Sequence, residues 1–352
     1  MINATYWQKK RVFITGHTGM KGTWLSVWLS KLGAEVFGYS IDQPSNPSMH
    51  SLIYKQHYDG FYEGDVRDYN SLKKIIDHIR PDVIFHMAAQ SLVRHSYLDP
   101  LYTYTTNVMG TVNVLEIARQ YSSIAAVVCI TSDKCYQNDG FDTKFKENDK
   151  LGGNDPYSSS KGCAELVVSA YNESYFRETN SPVIVSVRAG NVIGGGDWAE
   201  DRLIPDLFRA IDFGHPVIIR NPNSVRPWHH VLDCLSGYLA LTQKIFVSGN
   251  EFAGAWNFGP TEDYNKPVSY IVDRVSNLWG DELKWETTPD RDNKEAQALS
   301  LDSSKAVKRL GWKPRLDLDD ALKLTTNWYR GYKDGDDLLE LTLHQIRNYE
   351  AI

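Results

Sequence analysis

The sequence predicts an α/β fold: a doubly wound, mostly parallel sheet followed by a smaller mixed lobe. Short runs dense in Val, Ile and Phe alternate with helical stretches through the first half of the chain. Strands buried on both faces and returned by crossover helices read this way. Beyond residue 189 the rhythm breaks at Gly194-Gly195-Gly196, Asn221-Pro222-Asn223 and Gly259-Pro260, the punctuation of shorter, mixed segments. The length of 352 residues accommodates one large domain or two moderate ones.

In chain order, the strands are expected at 11–15, 35–40, 60–63, 82–87, 124–131 and 182–188, with helices at 22–32, 70–80, 100–121 and 156–177. A strand-like stretch at 256–258 is expected to return to the main sheet. The lobes are drawn at 1–188 with about 217–258, and at 189–216 with 259–352. Ligands of such sheets bind outside the carboxyl ends of the strands, so residues just after each strand carry the functional reading.

Composition excludes several classes. The net charge of −6 argues against a nucleic-acid binder, which shows a basic excess. No apolar run approaches the ~18–20 residues that span a bilayer, and the opening residues MINATYWQKKRVFITG hold none suited to a signal peptide. Cys129, Cys135, Cys163 and Cys234 form no C-x-x-C pair, so cytoplasm is the expected compartment. His229 and His230 are adjacent, so their side chains diverge, and no metal site is expected.

The first strand runs into Gly16-His17-Thr18-Gly19-Met20-Lys21-Gly22, a G-x-x-G-x-x-G loop opening a helix. Its glycines permit a tight turn and let a pyrophosphate approach the helix N-terminus, where free N–H groups meet the anion. At the end of the second strand, where an acidic residue usually receives the ribose, stands Ser40, with Asp42 two residues on. No Arg or Lys lies between Tyr39 and Ser48 to neutralise a 2′-phosphate, which favours NAD over NADP. Asp65 and Val66, after the third strand, are placed to meet adenine.

Tyr157 and Lys161 stand at i and i+4 on one helix face, where an ammonium can lower a phenol's pKa and ready it to take a hydroxyl proton. Tyr6/Lys10, Tyr69/Lys73 and Tyr329/Lys333 share the spacing. Only Tyr157/Lys161 follows the fifth strand, in reach of a nicotinamide.

With loop and pair in register, the first half resembles the extended short-chain dehydrogenase/reductase family, and a Rossmann-like NAD-binding fold is implied. The resemblance extends to Phe85-His86-Met87-Ala88-Ala89-Gln90, implied to line the cofactor, and to Thr106-Asn107-Val108-Met109-Gly110-Thr111, implied to support the site. From these, Met87, Ala88, Ala89, Gln90 and Thr106 are expected at the cofactor, Gln90 and Asn107 also at the substrate. Ser132 matches the family's Ser/Thr that hydrogen-bonds the sugar C4 hydroxyl. Helices 100–121 and 156–177 form the family's dimer face, so a homodimer or homotetramer is implied.

The segment Thr131-Ser132-Asp133-Lys134-Cys135-Tyr136 separates reactions within the family. Nucleotide-sugar epimerases resemble Ala-Thr after the Ser/Thr, whereas 4,6-dehydratases commonly carry an acid or Ser there and then usually Glu. Asp133 and Lys134 are most similar to the branch acting on CDP-glucose, as are residues 16–42, 188–198 and 226–231. Dehydration requires an acid for the C6 hydroxyl, matched by Asp133 if protonated, and a base at C5. Lys134 is awkward as that base, an ordinary lysine having a pKa of ~10.4; it acts as a neutral amine or as an electrostatic stabiliser. The same resemblance implies that Asn191 and Arg226 bind the substrate diphosphate, with Arg202, Leu203 and Arg291 as further partners, and that the product feeds deoxysugar and polysaccharide synthesis. A dehydratase or epimerase for another nucleotide-sugar, or an NAD-sensing protein without turnover, are the competing readings.

Overall fold

The computed structural model describes residues 2–53, 58–138, 144–178, 180–260, 265–280, 283–287 and 299–352. Its elements run β1 (Arg11–Thr15), α1 (Met20–Lys31), β2 (Glu35–Ser40), α2 (Met49–Ile53), β3 (Gly60–Glu63), α3 (Tyr69–Ile79) and β4 (Val83–His86). Then come α4 (Val93–Leu98), α5 (Pro100–Tyr104), α6 (Gly110–Ala118), β5 (Ala126–Ile130), β6 (Lys144–Phe145), α7 (Pro156–Tyr175), β7 (Val183–Arg188) and β8 (Asn191–Ile193). The chain continues with α8 (Leu203–Phe213), β9 (Val217–Ile219), β10 (Val225–His230), α9 (Val231–Ser248), β11 (Gly254–Asn257) and β12 (Asn265–Pro267). Helices α10 (Val268–Trp279), α11 (Ser304–Leu310), α12 (Leu318–Asp334) and α13 (Leu338–Ala351) follow.

Among the described residues, seven parallel strands form one sheet in the order β3-β2-β1-β4-β5-β7-β11. β11 pairs in parallel with β7, as the stretch at 256–258 was expected to do. Alternation along β1 sends Val12 and Ile14 into one hydrophobic core and Phe13 into the other, so both faces are buried. Helix α1 is buried nearly all round, with Trp24 and Trp28 fully covered. It packs between the sheet, α9 and α13, where Trp28 Nε1 donates to Glu350 at 2.8 Å. Chain order reverses between β1 and β4, and their ends meet at Thr15 and His86, which opens a crevice there.

The expected helix at 100–121 is broken into α5, a π-helical turn at Thr105–Met109, and α6. Asn107 lies in that turn and is tied to the β4 loop and to α7, contacts made on one wider turn of backbone. Beyond β7, the chain forms a separate three-stranded sheet, β12-β10-β8. The triple glycine leads from β8 toward α8. A Cβ on Gly195 would lie 2.0 Å from Trp328 Cγ, so the glycine permits close packing of α12.

Candidate functional site

A cleft of about 1000 Å3 runs along the carboxyl ends of β1, β2, β4 and β5 and is faced by β8, β10 and the start of α8. Gly16 turns the chain at φ +73, where a Cβ would come within 2.6 Å of the Ala88 amide nitrogen. Gly19 caps α1 without a side-chain hydrogen bond among the described residues, which leaves the first N–H groups of the helix for an anion. Gly16, Thr18, Gly19, Met20, Lys21, Gly22, Ser40, Asp42, Asp65 and Val66 line this end, with Met87, Ala88, Ala89, Gln90 and Thr106 beside them.

His17 does not line the cleft. Its ring turns inward, Nδ1 bonding Ser40 Oγ at 2.8 Å, among the rings of His50 and Tyr58. The side chain therefore supports the loop from below instead of meeting a ligand. Thr18 Oγ1 donates to the Asp42 carbonyl at 2.7 Å and ties the two loops together. Asp65 accepts from Arg67 Nε at 2.8 Å, so its carboxylate already holds a cation.

Asn107 likewise sits behind the cleft. Its Nδ2 donates to the Gln90 carbonyl at 3.0 Å and to Ser160 Oγ at 2.8 Å, while Oδ1 accepts from Gln90 N at 2.8 Å. With these bonds committed, it positions the loop and α7 rather than touching a substrate. Gln90 lines the cleft, but Nε2 donates to the Leu92 carbonyl and Thr103 Oγ1, and Oε1 accepts from Leu92 N.

Asp155 caps α7 by accepting from Ser158 N at 2.9 Å, and Pro156 pre-sets its first turn. Tyr157 is thereby held in that turn, with Lys161 one turn deeper, and both line the cleft. Ser132 stands at the end of β5, hydrogen-bonded with Tyr157. It accepts from Lys134 N at 3.2 Å and caps the short turn Asp133–Cys135. Burial pushes the Tyr157 phenol up to about 12 against the pull of the Ser132 hydrogen bond. The lowering by Lys161 expected from sequence is not among the main effects on the phenol, where Ser132 and Arg202 pull down and burial outweighs both. Lys161 Nζ instead donates to the Ile130 carbonyl at 3.3 Å. Burial, with Lys21 nearby, brings the amine down to about 8. Asp133 is 4% exposed, and burial raises its carboxyl against the opposing pull of Lys134, Ser132 and Lys21.

On the far wall, Arg202 NH1 donates to Asp197 at 3.0 Å and NH2 to Ser91 Oγ at 3.0 Å. Leu203 begins α8; Asn191 on β8 pairs with Trp228, and Arg226 lies on the same strand as that tryptophan. Arg202, Leu203, Asn191 and Arg226 all line the cleft. Arg291 lies outside the described residues. Sequence reasoning missed Asp197, Ser91 and Trp228. Asp197 was visible only as the acid closing the triple-glycine segment, with nothing in the spacing to pair it with Arg202. Among the described residues, no three of His, Cys, Asp or Glu are grouped to hold a metal ion, and no helix is long and apolar enough to cross a membrane.

A glycine cradle under an open helix end, facing a Ser, Tyr and Lys set, defines a dinucleotide-binding α/β protein of the short-chain dehydrogenase/reductase type. The family model described as GDP-mannose 4,6 dehydratase matches residues 13–325. A CDP-glucose 4,6-dehydratase of Salmonella typhimurium is 48% identical over 99% of this chain and 98% of its own. The chain belongs to this dehydratase family within the extended short-chain dehydrogenases/reductases. Its fold is shared with a UDP-glucose 4-epimerase of Thermotoga maritima, at 22% identity and a TM-score of 0.79 over 92% of this chain and 99% of the other. A dTDP-glucose 4,6-dehydratase of Streptomyces venezuelae shares it at 23% identity and a TM-score of 0.78, over 94% and 99%.

Proposed function

We propose that the chain is an NAD-dependent hydro-lyase converting CDP-D-glucose to CDP-4-dehydro-6-deoxy-D-glucose and water. The observation that carries this is a buried Asp133, biased toward its protonated form, beside Ser132 and Tyr157 in one cleft. A 4-epimerase has no use for such an acid. The full-length likeness to the Salmonella typhimurium enzyme supports the CDP-glucose assignment.

The cradle at Gly16–Gly22 fits a pyrophosphate, and Asp42 with no neighbouring cation between Tyr39 and Ser48 fits an unphosphorylated ribose. NAD supplies a hydride acceptor at C4 and the same hydride for C6, so the cycle is redox-neutral. Tyr157 takes the C4 hydroxyl proton while Ser132 hydrogen-bonds that oxygen. Asp133 protonates the departing C6 hydroxyl, and Lys134 takes the C5 proton or stabilises the enolate charge. Lys161 holds positive charge near the reacting centre. Asn191, Arg202, Leu203, Arg226 and Arg291 are the diphosphate and nucleotide contacts. On this reading residues 1–188 with about 217–258 serve NAD, and 189–216 with 259–352 serve the nucleotide-sugar. The protein works in the cytoplasm as a homo-oligomer.

Incubation with CDP-, dTDP-, UDP- and GDP-sugars followed by mass analysis tests this. CDP-glucose losing one water, with no net release of NADH, is the expected result. Preferential dehydration of another nucleotide-sugar, or epimerisation at C4, would overturn the proposal.

A further inference from the structure

Beneath the cleft lies a buried ion pair that the proposed chemistry does not use. Glu165 and Arg188 are 2% and 3% exposed at their side chains and meet at 2.6 Å. Glu165 follows Lys161 by one turn of α7, so Tyr157, Lys161 and Glu165 form one stripe. Its Oε1 accepts from Thr131 Oγ1, and its Oε2 accepts from Ser186 Oγ at 2.7 Å and from Arg188. Thr131 is the residue before Ser132. Arg188 NH1 reaches the other end of the same loop, donating to Tyr136 Oη at 2.5 Å and to the Glu147 carbonyl at 3.0 Å. Tyr136 in turn donates to Asn257 at 2.7 Å. The pair thus clamps both ends of the segment carrying Ser132, Asp133 and Lys134 onto α7 and β7.

The groups facing Lys161 come from several elements: Lys21 of α1, His86 of β4, Cys129 of β5, Cys135 of the following turn, and Glu165. Burial keeps both thiols protonated and brings His86 down to about 3, so these three are neutral near pH 7. Lys21 and Glu165 act on the amine in opposite directions, and Arg188 of β7, a cation bonded to Glu165 from behind, offsets part of that carboxylate's charge.

We propose that Glu165 is a positioning residue for the reaction assigned above, fixing the Ser132–Lys134 segment through Thr131 and supplying the negative charge that keeps Lys161 an ammonium. The inference rests on that assignment for its catalytic meaning, but the state of Lys161 can be read without cofactor or substrate.

Glu165→Gln alone leaves Arg188 buried without its counter-ion and is expected to fold poorly. The informative variant is therefore Glu165→Gln with Arg188→Met, which removes both charges; Glu165→Asp is the control that keeps them. Competitive acetylation of the cofactor-free protein across pH, read on the Lys161 peptide by mass spectrometry, reports the fraction of free amine. In the double variant the midpoint should move to lower pH, and at about pH 7 Lys161 should be acetylated several-fold faster than in the wild type. Glu165→Asp should stay near the wild type. The pH at which kcat/KM stops rising should move down in the same order. A wild-type midpoint in the double variant, or a Glu165→Asp midpoint as low as that of the double variant, would overturn the proposal. Failure of the wild type to dehydrate CDP-glucose would refute the functional assignment instead and leave the acetylation result standing.

Discussion

Ser132 Oγ donates to Asp133 Oδ1 at 3.0 Å, so the group proposed to steady the sugar hydroxyl and the proposed acid are joined. The Asp133 amide is anchored too, donating to the Ala189 carbonyl at 3.1 Å. The carboxyl is therefore fixed in place and biased toward its neutral form by burial. Asp133→Asn keeps the shape and removes the transferable proton. Oxidation at C4 should survive while water loss falls by ~10²–10⁴-fold. Rapid-quench analysis should then find the unreduced 4-keto hexose on the enzyme; dehydration at the wild-type rate would remove Asp133 from the mechanism.

Lys134 follows on the same turn, half-buried and lining the cleft. Lys134→Met should likewise spare C4 oxidation but slow exchange of the C5 hydrogen with deuterated solvent. Exchange at the wild-type rate would mean that the proton leaves by another route.

Tyr157→Phe removes one oxygen from a ring that is 8% exposed and well packed. Substrate affinity should stay within a few-fold while kcat falls by ~10²–10⁴-fold. Because burial holds the phenol at about 12, the wild-type rate should rise with pH through neutrality until Lys161 gives up its proton at about 8. A flat profile from about pH 6 to 8 would show that the phenol is not the base.

The sheet and cradle were legible because parallel strands read as apolar runs and because close backbone approach demands glycine, as at Gly16. Tyr157/Lys161 was legible only through its place after β5; three other pairs had the same spacing. The inward turn of His17 was not legible, since a loop's sequence does not say which side chains face the ligand. The π turn at Thr105–Met109 was also hidden. Within it Asn107 bonds to Gln90 and Ser160, partners 17 and 53 residues away that no local pattern announces. The Glu165–Arg188 clamp is equally non-local, although Glu165 extends the Tyr157/Lys161 stripe by one visible turn.

Leu98 and Leu101 are 82% and 75% exposed, and Met109, Leu166 and Tyr175 are exposed elsewhere along the α4–α7 region. Exposed apolar side chains on these helices fit the homo-oligomer interface proposed above. If the homo-oligomer proposed above forms through this surface, Leu98→Glu with Leu101→Glu should shift it to monomer in sedimentation velocity. An unchanged sedimentation coefficient would move the interface elsewhere.

Stability should fall steeply in mild acid. His86, His229 and His230 are at most 3% exposed, and burial brings each down to about 3. Lys21 and His230 add to the effect at His229. Neither ring nitrogen of His229 finds a hydrogen-bond partner among the described residues. The unfolded chain takes up these protons near pH 6.5 and the folded one does not, so stability is present above that pH and is lost as pH falls toward 3. At pH 5 the cost is on the order of 2 kcal/mol per histidine. Asp233 opposes this: burial raises its carboxyl to about 6, so the folded state binds that proton first, a gain of roughly 1 kcal/mol at pH 5. Asp133 acts in the same sense as Asp233. Three histidines outweigh them, and thermal melts should show Tm dropping by many degrees between pH 6.5 and 5. His229→Leu should flatten that slope by about a third. A melting temperature constant across the interval would mean that these rings accept protons in the folded protein.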